Sequence, residues 1–383
     1  MYFIDEKELD AIRAVFERKR LFRYQPDEGG ECDLFEREFE RYLPVPHSLL
    51  VTSGTNALIA ALKSGGIGPG DEVIIPAYTF VATAAAVAQV GAVPVIANID
   101  ETLGISPSDI EAKLSSRTRA LLPVHMDGLA ADMNAITRLA QSRQLLLIED
   151  VAQAIGGSFQ GRKLGTLGDF GCFSLNENKN ISCGEGGIVT ATSRARYENL
   201  FCQHDVSAQY NPVKSRFFVE TRPFLGSSMR ISEISGAIMR VQLSRLDEIL
   251  RLLRERKAIY REALAGLRQV RLITGNCSEG DCGSSIHLLC SDPGYAIQAG
   301  QALRNAGYLF APVTTRPAHA AWKWLPLLDK EPAPRGQAPN QMAHFLQSVD
   351  VLTRVLRLET DIHKSLAATQ TDARSVRHIL ESL

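Results

Sequence analysis

From Leu49 onward, short apolar runs alternate with segments whose apolar residues recur at helical spacing. This alternation is typical of βα units that build a mostly parallel sheet, whose buried strands read as continuous apolar runs. It predicts strands at residues 71–76, 92–97, 119–124 and 144–148, and crossover helices that include 109–114 and 133–142. The first half of the chain is therefore expected to be a large α/β domain.

The pattern changes after Asp150, where glycines become frequent between residues 156 and 187 around two β-like runs, 170–175 and 187–191. A stretch this long is expected to be functional rather than a plain connection. A long helix is predicted over 232–267, and beyond it a strand at 285–289 and a proline-rich stretch at 326–339. The predicted organisation is a large domain (1–235), a linking helix (236–267) and a small α+β domain (268–383), with an N-terminal segment that could pack against the small domain.

The composition narrows the classes of partner. The chain has 383 residues, 45% of them hydrophobic, and its 42 basic and 43 acidic side chains leave a net charge of -1. This balance excludes the basic footprint of a general nucleic-acid binder. The longest apolar stretch, 81–97, is too short and too interrupted to span a bilayer. Neither nucleic acid nor membrane is expected as a partner, and small molecules are favoured.

The N-terminal sequence and the cysteine content both favour a cytoplasmic location. Residues 1–8 lack the basic and apolar regions of a signal peptide. Seven scattered cysteines fit reduced thiols better than a disulfide framework. Cys277, Cys282 and Cys290 with His287 do not have the spacing of a zinc site, so no metal is expected.

The first chemical motif is the segment 51–58, where a β-like start passes through Gly54 and Thr55 into an Ala/Leu-rich helix. A helix N-terminus offers free N–H groups and the positive end of the dipole, and glycine lets a phosphate approach the backbone. An ordinary N-cap is the alternative interpretation.

The second motif is Glu149-Asp150, directly after an apolar run, with Gln153 nearby. A carboxylate at the C-terminal end of a central parallel strand faces the crevice where doubly wound folds bind ligands. The alternative is a turn or capping acid.

The third motif is Lys179, which lies between the β-like run ending near Ser174 and the glycine-rich turn 183–187. A lone lysine is usually a solvated surface group. If partly buried, its pKa would fall and its amine could attack a carbonyl.

Together the motifs match the needs of pyridoxal 5'-phosphate (PLP), which requires a lysine for its aldehyde, a carboxylate for its pyridine nitrogen and an anion site for its phosphate. Phe80, just past the strand that ends at Pro76, is a candidate to stack on the ring.

The order and spacing of four segments resemble the DegT/DnrJ/EryC1/StrS family, the PLP-dependent aminotransferases of sugar nucleotides and related keto-sugars. These segments are 68–80, 149–154 with Gly156 and Gly165, 174–187, and 230–233. The resemblance implies the PLP-dependent transferase fold of the aspartate-aminotransferase class (fold type I), a large mostly parallel-sheet domain with a smaller α+β C-terminal domain. It also implies a homodimer with active sites at the subunit interface.

The resemblance assigns roles residue by residue. Lys179 becomes the Schiff-base lysine that also moves the proton, Asp150 the partner of the pyridinium nitrogen, and Gln153 a neighbour of the phenolic oxygen. The phosphate is expected at Gly54, Thr55 and Ser174, and the ring against Phe80. Because the dehydratase branch has histidine at the lysine position, Lys179 favours transamination.

Two positions depart from the family pattern. Ser228 stands where many members have an asparagine that reaches the phosphate of the neighbouring subunit, and Asp127 stands where an aromatic residue is usual. The Ser228 hydroxyl can still donate one hydrogen bond to the cofactor, but its side chain is shorter than that of asparagine. We also expect the substrate side of the pocket around Asp127 to be unusual. Segments 22–24, 124–126 and 183–185 resemble the branch that aminates C8 of 3-deoxy-octulosonate.

Four residues are candidates to reach the substrate: Tyr24, His204, Arg230 and His319. The histidines stand in polar or aromatic settings and could act from the second domain or second subunit. The predicted activity is ping-pong transfer of an amino group from glutamate or glutamine to a keto- or aldehydo-sugar. The alternatives are a same-fold enzyme that aminates a cyclitol or catalyses elimination, and a non-catalytic PLP- or sugar-binding sensor.

Overall fold

The computed structural model describes residues 2–24, 29–207, 210, 221–222, 224–328 and 345–383. Its helices are α1 (Glu6–Arg18), α2 (Glu31–Tyr42), α3 (Gly54–Ser64), α4 (Ala82–Gln89), α5 (Pro107–Lys113), α6 (Met133–Arg143), α7 (Arg194–His204), α8 (Glu233–Ala263), α9 (Pro293–Asn305), α10 (Ala321–Leu328), α11 (Leu346–Thr353) and α12 (Leu366–Glu381). Its strands are β1 (His47–Val51), β2 (Glu72–Pro76), β3 (Val93–Ala97), β4 (Thr118–Leu121), β5 (Leu146–Asp150), β6 (Ser158–Phe159), β7 (Arg162–Lys163), β8 (Phe170–Ser174), β9 (Gly187–Ala191), β10 (Val270–Leu272), β11 (Ser285–Cys290), β12 (Ala311–Pro312) and β13 (Val355–Glu359).

A large sheet carries the first half of the chain, in the order β1-β9-β8-β5-β4-β2-β3. Its pairings are parallel except at β9, which runs antiparallel to both β1 and β8. A second, antiparallel sheet has the order β10-β11-β13-β12. The two sheets confirm the predicted fold class, a large mostly parallel sheet with a smaller α+β domain. Apolar strands covered on both faces by helices favour this layered arrangement.

Helix α8 connects the two sheets. It packs against α1 and α2 at its start and against α12 and β11 farther on. The N-terminal segment also contacts the C-terminal part of the chain: the Phe3 ring lies edge-on to His363, with ring centroids 5.5 Å apart. The domain limits 1–235, 236–267 and 268–383 remain a prediction.

Several predicted limits were wrong by a few residues. The strand expected at 119–124 is Thr118–Leu121, because Pro123 has no N–H with which to continue the ladder. The strand expected at 144–148 is Leu146–Asp150, so the two acids end the strand instead of following it. The long helix stops at Ala263, shortly before Gly266 takes a left-handed φ of 78°. The proline-rich stretch beyond residue 328 lies outside the described residues.

No helix in the described ranges combines the length and the hydropathy that a membrane crossing requires.

The start of α3 fits against β9 only because residue 187 is glycine. A Cβ on Gly187 would lie 2.3 Å from the carbonyl oxygen of Ser53 and 2.8 Å from the nitrogen of Gly54, which are backbone atoms. We predict that Gly187→Ala destabilises the protein by about 1–3 kcal/mol through this clash, seen as a lower midpoint in thermal unfolding.

The control for this substitution is Gly68→Ala. At Gly68 the nearest atom to an added Cβ is the carbonyl oxygen of Val90, 4.0 Å away. A midpoint for Gly187→Ala as high as that of Gly68→Ala would contradict the close approach of β9 and α3.

Candidate active site

The three predicted motifs meet in one cavity of about 550 Å³ at the C-terminal ends of the parallel strands. The cavity is lined by eight of the predicted site residues: Gly54, Thr55, Phe80, Asp150, Gln153, Ser174, Lys179 and His319. Its opposite wall comes from the small sheet and the segment before α10, through Ser284, Ser285, Arg316, Arg357 and Glu359. A cavity of this size suits a cofactor together with a small substrate.

The N-terminus of α3 forms the anion end of the cavity. The side chain of Ser53 caps the helix by accepting the N–H of Asn56 at 3.1 Å. The first N–H groups of a helix have no partner within the helix, so those of Gly54 and Thr55 stay available. A Cβ on Gly54 would lie 2.8 Å from Cβ of Ser174, so glycine lets the helix start approach β8. These N–H groups and the Ser174 hydroxyl fit a phosphate.

Asp150 is buried at the end of β5. Its carboxylate accepts the hydroxyl of Thr83 at 2.9 Å and the N–H of Ala152 at 3.0 Å. Burial raises the pKa of Asp150, while these two hydrogen bonds and the charge of Lys179 oppose the rise. A buried acid balanced in this way fits the protonated nitrogen of a pyridine ring.

Lys179 lies in the turn between β8 and β9. Hydrogen bonds between the N–H of Leu175 and the carbonyl of Gly186 (2.9 Å), and between the N–H of Glu177 and the carbonyl of Gly184 (3.0 Å), hold this turn closed. Burial lowers the pKa of Lys179, although Asp150 and Asp127 act to raise it. A lysine amine with a lowered pKa is a better nucleophile and proton carrier near neutral pH.

Phe80 and His319 form one side of the cavity. The backbone N–H of Thr79 donates to the carbonyl of His319 at 3.0 Å, and that of Ala321 donates to the carbonyl of Ala77 at 2.9 Å. These bonds bring the His319 ring to 5.3 Å from that of Phe80. Burial and the neighbouring Arg316 lower the pKa of His319 to about 4, which keeps this histidine neutral near pH 7.

Four predicted residues lie outside this cavity. Tyr24 and His204 are buried, with ring centroids 6.5 Å apart. Arg230 forms an ion pair with Asp205, whose backbone bridges to the exposed Ser228. Within one chain these residues do not reach the cavity, so a second copy would have to bring them to a cofactor or substrate. Their roles remain predictions.

Sequence reasoning missed several cavity residues, among them Thr83, Asn178, Arg316, Arg357 and Glu359. Arg316 stands three residues before His319, a spacing that could have drawn attention to it. Arg357 lies within β13 and carries no local signal, because only the pairing of β13 with β11 brings it to the cavity.

The hydrogen bond from Thr83 to Asp150 gives a test of the site. We predict that Thr83→Val weakens PLP binding about tenfold, as expected for losing one hydrogen bond to a charged group. Since the bond lowers the pKa of Asp150, its loss should matter more as the pH falls. Fluorescence titration of the cofactor-free protein measures this affinity.

Thr137→Val is the matched control, because the Thr137 hydroxyl has no hydrogen-bond partner among the described residues. Equal PLP affinities for the two valine variants would show that Thr83 does not support the Asp150 carboxylate.

Comparison with known proteins places this geometry in a family. The model of the DegT/DnrJ/EryC1/StrS aminotransferase family matches residues 3–377. The chain is 35% identical to 3-amino-5-hydroxybenzoate synthase of Amycolatopsis mediterranei, over 69% of this chain and 66% of that protein. It is 38% identical to GDP-perosamine synthase of Vibrio cholerae, over 62% of this chain and 64% of that protein.

A further relative is the L-glutamine:2-deoxy-scyllo-inosose aminotransferase of Streptoalloteichus tenebrarius, 37% identical over 70% of this chain and 66% of that protein. The alignments to these three relatives thus span slightly less than two thirds of each relative's own length.

Solved structures extend the similarity to the whole chain. The crystal structure of 3-amino-5-hydroxybenzoic acid synthase matches with a TM-score of 0.85 and 26% identity, over 100% of this chain and 98% of that one. DesV of S. venezuelae, solved in complex with a ketimine intermediate, matches with a TM-score of 0.82 and 28% identity, over 99% and 95% of the two chains. The expected fold type I is therefore confirmed, and with it the cofactor class, PLP. The chain belongs to the DegT/DnrJ/EryC1/StrS aminotransferase family.

Proposed function

We propose that this protein transfers an amino group from glutamate or glutamine to the carbonyl of a keto- or aldehydo-sugar, in a ping-pong reaction. The observation that carries the proposal is the convergence of Lys179, Asp150 and the α3 N-terminus in one cavity. A lysine, a carboxylate and an anion site in this arrangement meet the three requirements of PLP.

The residues present fit the cofactor. Gly54, Thr55 and Ser174 would hold its phosphate, Phe80 would stack on its ring, and Asp150 would hold its pyridine nitrogen protonated. When bound, PLP supplies an electron sink for negative charge that develops beside the donor's nitrogen.

The chain's own residues then move protons and fix charge. The amine of Lys179, with its pKa lowered by burial, is free to take the α-proton of the donor and to return a proton in the reverse sense to the amino acceptor. Asp150 keeps its charge opposite the lysine, supported by Thr83 and Ala152. Gln153 lines the cavity, and its side-chain carbonyl accepts the backbone N–H of Asp127 at 3.2 Å.

Two of the three relatives support a polyhydroxylated carbonyl acceptor, while the third is named for 3-amino-5-hydroxybenzoate, an aromatic acid. GDP-perosamine synthase is named for a nucleotide-linked amino sugar, and the inosose aminotransferase is named for a cyclitol ketone and for L-glutamine as donor. The inosose aminotransferase is about as similar to this chain as GDP-perosamine synthase is, so amination of a cyclitol is the second candidate function. Both candidates require the same donor step.

We also propose a homodimer in the cytoplasm. Ser228 is exposed beside Phe224 and Leu225, which are large apolar residues that are also exposed. A second copy could cover them and bring Ser228 to the neighbouring cofactor phosphate. The seven cysteines, all within the described residues, are free thiols, as expected in a reducing compartment.

The donor step gives the direct test of the proposed function. We predict that millimolar L-glutamate or L-glutamine abolishes the visible absorbance of the holoenzyme, because the donor's amine would displace the Lys179 amine and its amino group would stay in the site. Borohydride reduction before the donor is added should attach the cofactor to Lys179, as identified by peptide mass spectrometry. Lys179→Ala should lose both signals.

Lys163→Ala is the matched control, because Lys163 is also half-buried with a lowered pKa but does not line the cavity. Cofactor attached to Lys179 with absorbance unmoved by either donor would favour elimination or a sensor and contradict aminotransfer.

A further inference from the structure

Asp127 stands at the wall of the cavity that faces the small sheet. It is buried and has a left-handed φ of 52°. Its carboxylate accepts the hydroxyl of Tyr78 at 2.9 Å and Nε2–H of His287 at 3.1 Å. Arg316 and Arg357 each donate to it at 3.1 Å.

These contacts saturate Asp127. A carboxylate has about four lone-pair sites, and four different side chains donate to this one. Burial would raise the pKa of Asp127, but Arg357, the hydrogen bond from His287, and Arg316 hold it well below the usual range. Asp127 therefore stays ionised and has no capacity left for a ligand.

The two arginines, in contrast, keep donors for a ligand. A guanidinium has five N–H donors. Beyond Asp127 and Tyr78, Arg316 uses Nη2 to donate to Nε2 of His319 at 2.9 Å. Arg357 uses Nη1 to donate to Glu359 at 3.0 Å, and its Nη2 has no hydrogen-bond partner among the described residues. Both side chains line the cavity.

A further polar atom at this wall lacks a partner. Ser285 is 1% exposed and lines the cavity, and its hydroxyl has no hydrogen-bond partner among the described residues. The register of β11 with β13 puts Ser285 opposite Glu359 and His287 opposite Arg357. Donors from two strands and from the segment before α10 thus converge on one part of the cavity.

Neutralising Asp127 does not require two arginines. One buried guanidinium balances one carboxylate, and the second leaves an excess positive charge at the wall. Glu359 only partly offsets it, because its side chain is 61% exposed and a solvated ion pair is weak.

We propose that Arg316 and Arg357 bind a substrate carboxylate, with Asp127 as the positioning residue that fixes both guanidiniums toward the cavity. The planar fork of arginine suits a carboxylate, which it can bind through two parallel hydrogen bonds. The inference rests on the proposed aminotransfer, since it identifies a feature of that reaction's substrates. The carboxylate belongs either to the amino donor or to an acidic acceptor.

Binding of unreactive probes tests the site without chemistry. Calorimetry on the holoenzyme compares glutarate with its neutral diamide, glutaramide, and D-glucuronate with D-glucose. In Arg316→Gln and Arg357→Gln we expect about tenfold or greater weakening for at least one of the two carboxylates, and no change for the neutral partners.

Three further variants control for the charge around Asp127 and for the loss of a buried arginine. Removing one arginine disturbs the charge around buried Asp127, so each glutamine variant is repeated in an Asp127→Asn background, with thermal unfolding to confirm folding. Arg354→Gln is the matched control, because Arg354 is buried to a similar extent as Arg357, pairs with acids and lies outside the cavity lining.

The outcomes separate the two sources of the carboxylate. Weaker binding of glutarate, together with a raised half-saturation for L-glutamine but not for L-glutaminamide in the absorbance assay, assigns the site to the donor. Weaker binding of D-glucuronate alone assigns it to an acidic acceptor.

Glutarate and D-glucuronate bound as tightly by both arginine variants as by Arg354→Gln, or not bound by the wild type, would overturn the inference. Failure of the proposed function is a different result, namely absorbance that no donor changes.

Discussion

Two adjacent buried carboxylates, Glu149 and Asp150, end the central strand β5, and much of the site depends on keeping both in the interior. Side chains alternate along a strand, so the two point to opposite faces of the sheet. Glu149 accepts the N–H groups of Gly165, Leu167 and Gly168 at 2.7–2.9 Å and contacts Nε2 of His125 at 3.1 Å. One acid thereby fixes the glycine-rich connection to β8, while the other faces the cavity.

Strand β5 also determines where Lys179 lies. Fixing the connection after β5 sets the position of β8, and β8 leads directly into the turn that carries Lys179. The lysine is thus held at the cavity by backbone hydrogen bonds, and its burial keeps its pKa low. On the far wall, the buried carboxylate of Asp127 accepts hydrogen bonds from Arg316 and Arg357. In the described part of the chain, Asp150 makes no such bond to Lys179 and acts on its pKa only through its charge.

Sequence patterns were sufficient where the chemistry lies at the end of a local element. Lys179, Asp150 and the start of α3 each follow or end an apolar run, so their presence in the cavity follows from the topology of a parallel sheet. The departure of Asp127 from the family pattern is visible in the sequence, but its partners are not. Arg316 and Arg357 come from segments about 190 and 230 positions away along the chain, and only tertiary packing unites them.

Sequence patterns were not sufficient for the four predicted site residues that lie outside the cavity. Tyr24, Arg230 and Ser228 are candidates because their segments can be compared with the family, and His204 is a candidate because of its polar and aromatic neighbours. Neither signal tells on which chain of a dimer a residue acts. In one chain these four residues surround Asp205 and the surface beside it. No pattern within a single sequence distinguishes a residue that serves its own site from one that serves a neighbour's.

The most direct measurement of the central claim is exchange of the α-proton of L-glutamate or L-glutamine with D₂O, followed by proton NMR without any acceptor. The account predicts that the wild-type holoenzyme exchanges this proton. Lys179→Ala and Asp150→Asn should each slow the exchange by about 100-fold or more. Exchange at the wild-type rate in Lys179→Ala, or none in the wild type with either donor, would contradict it.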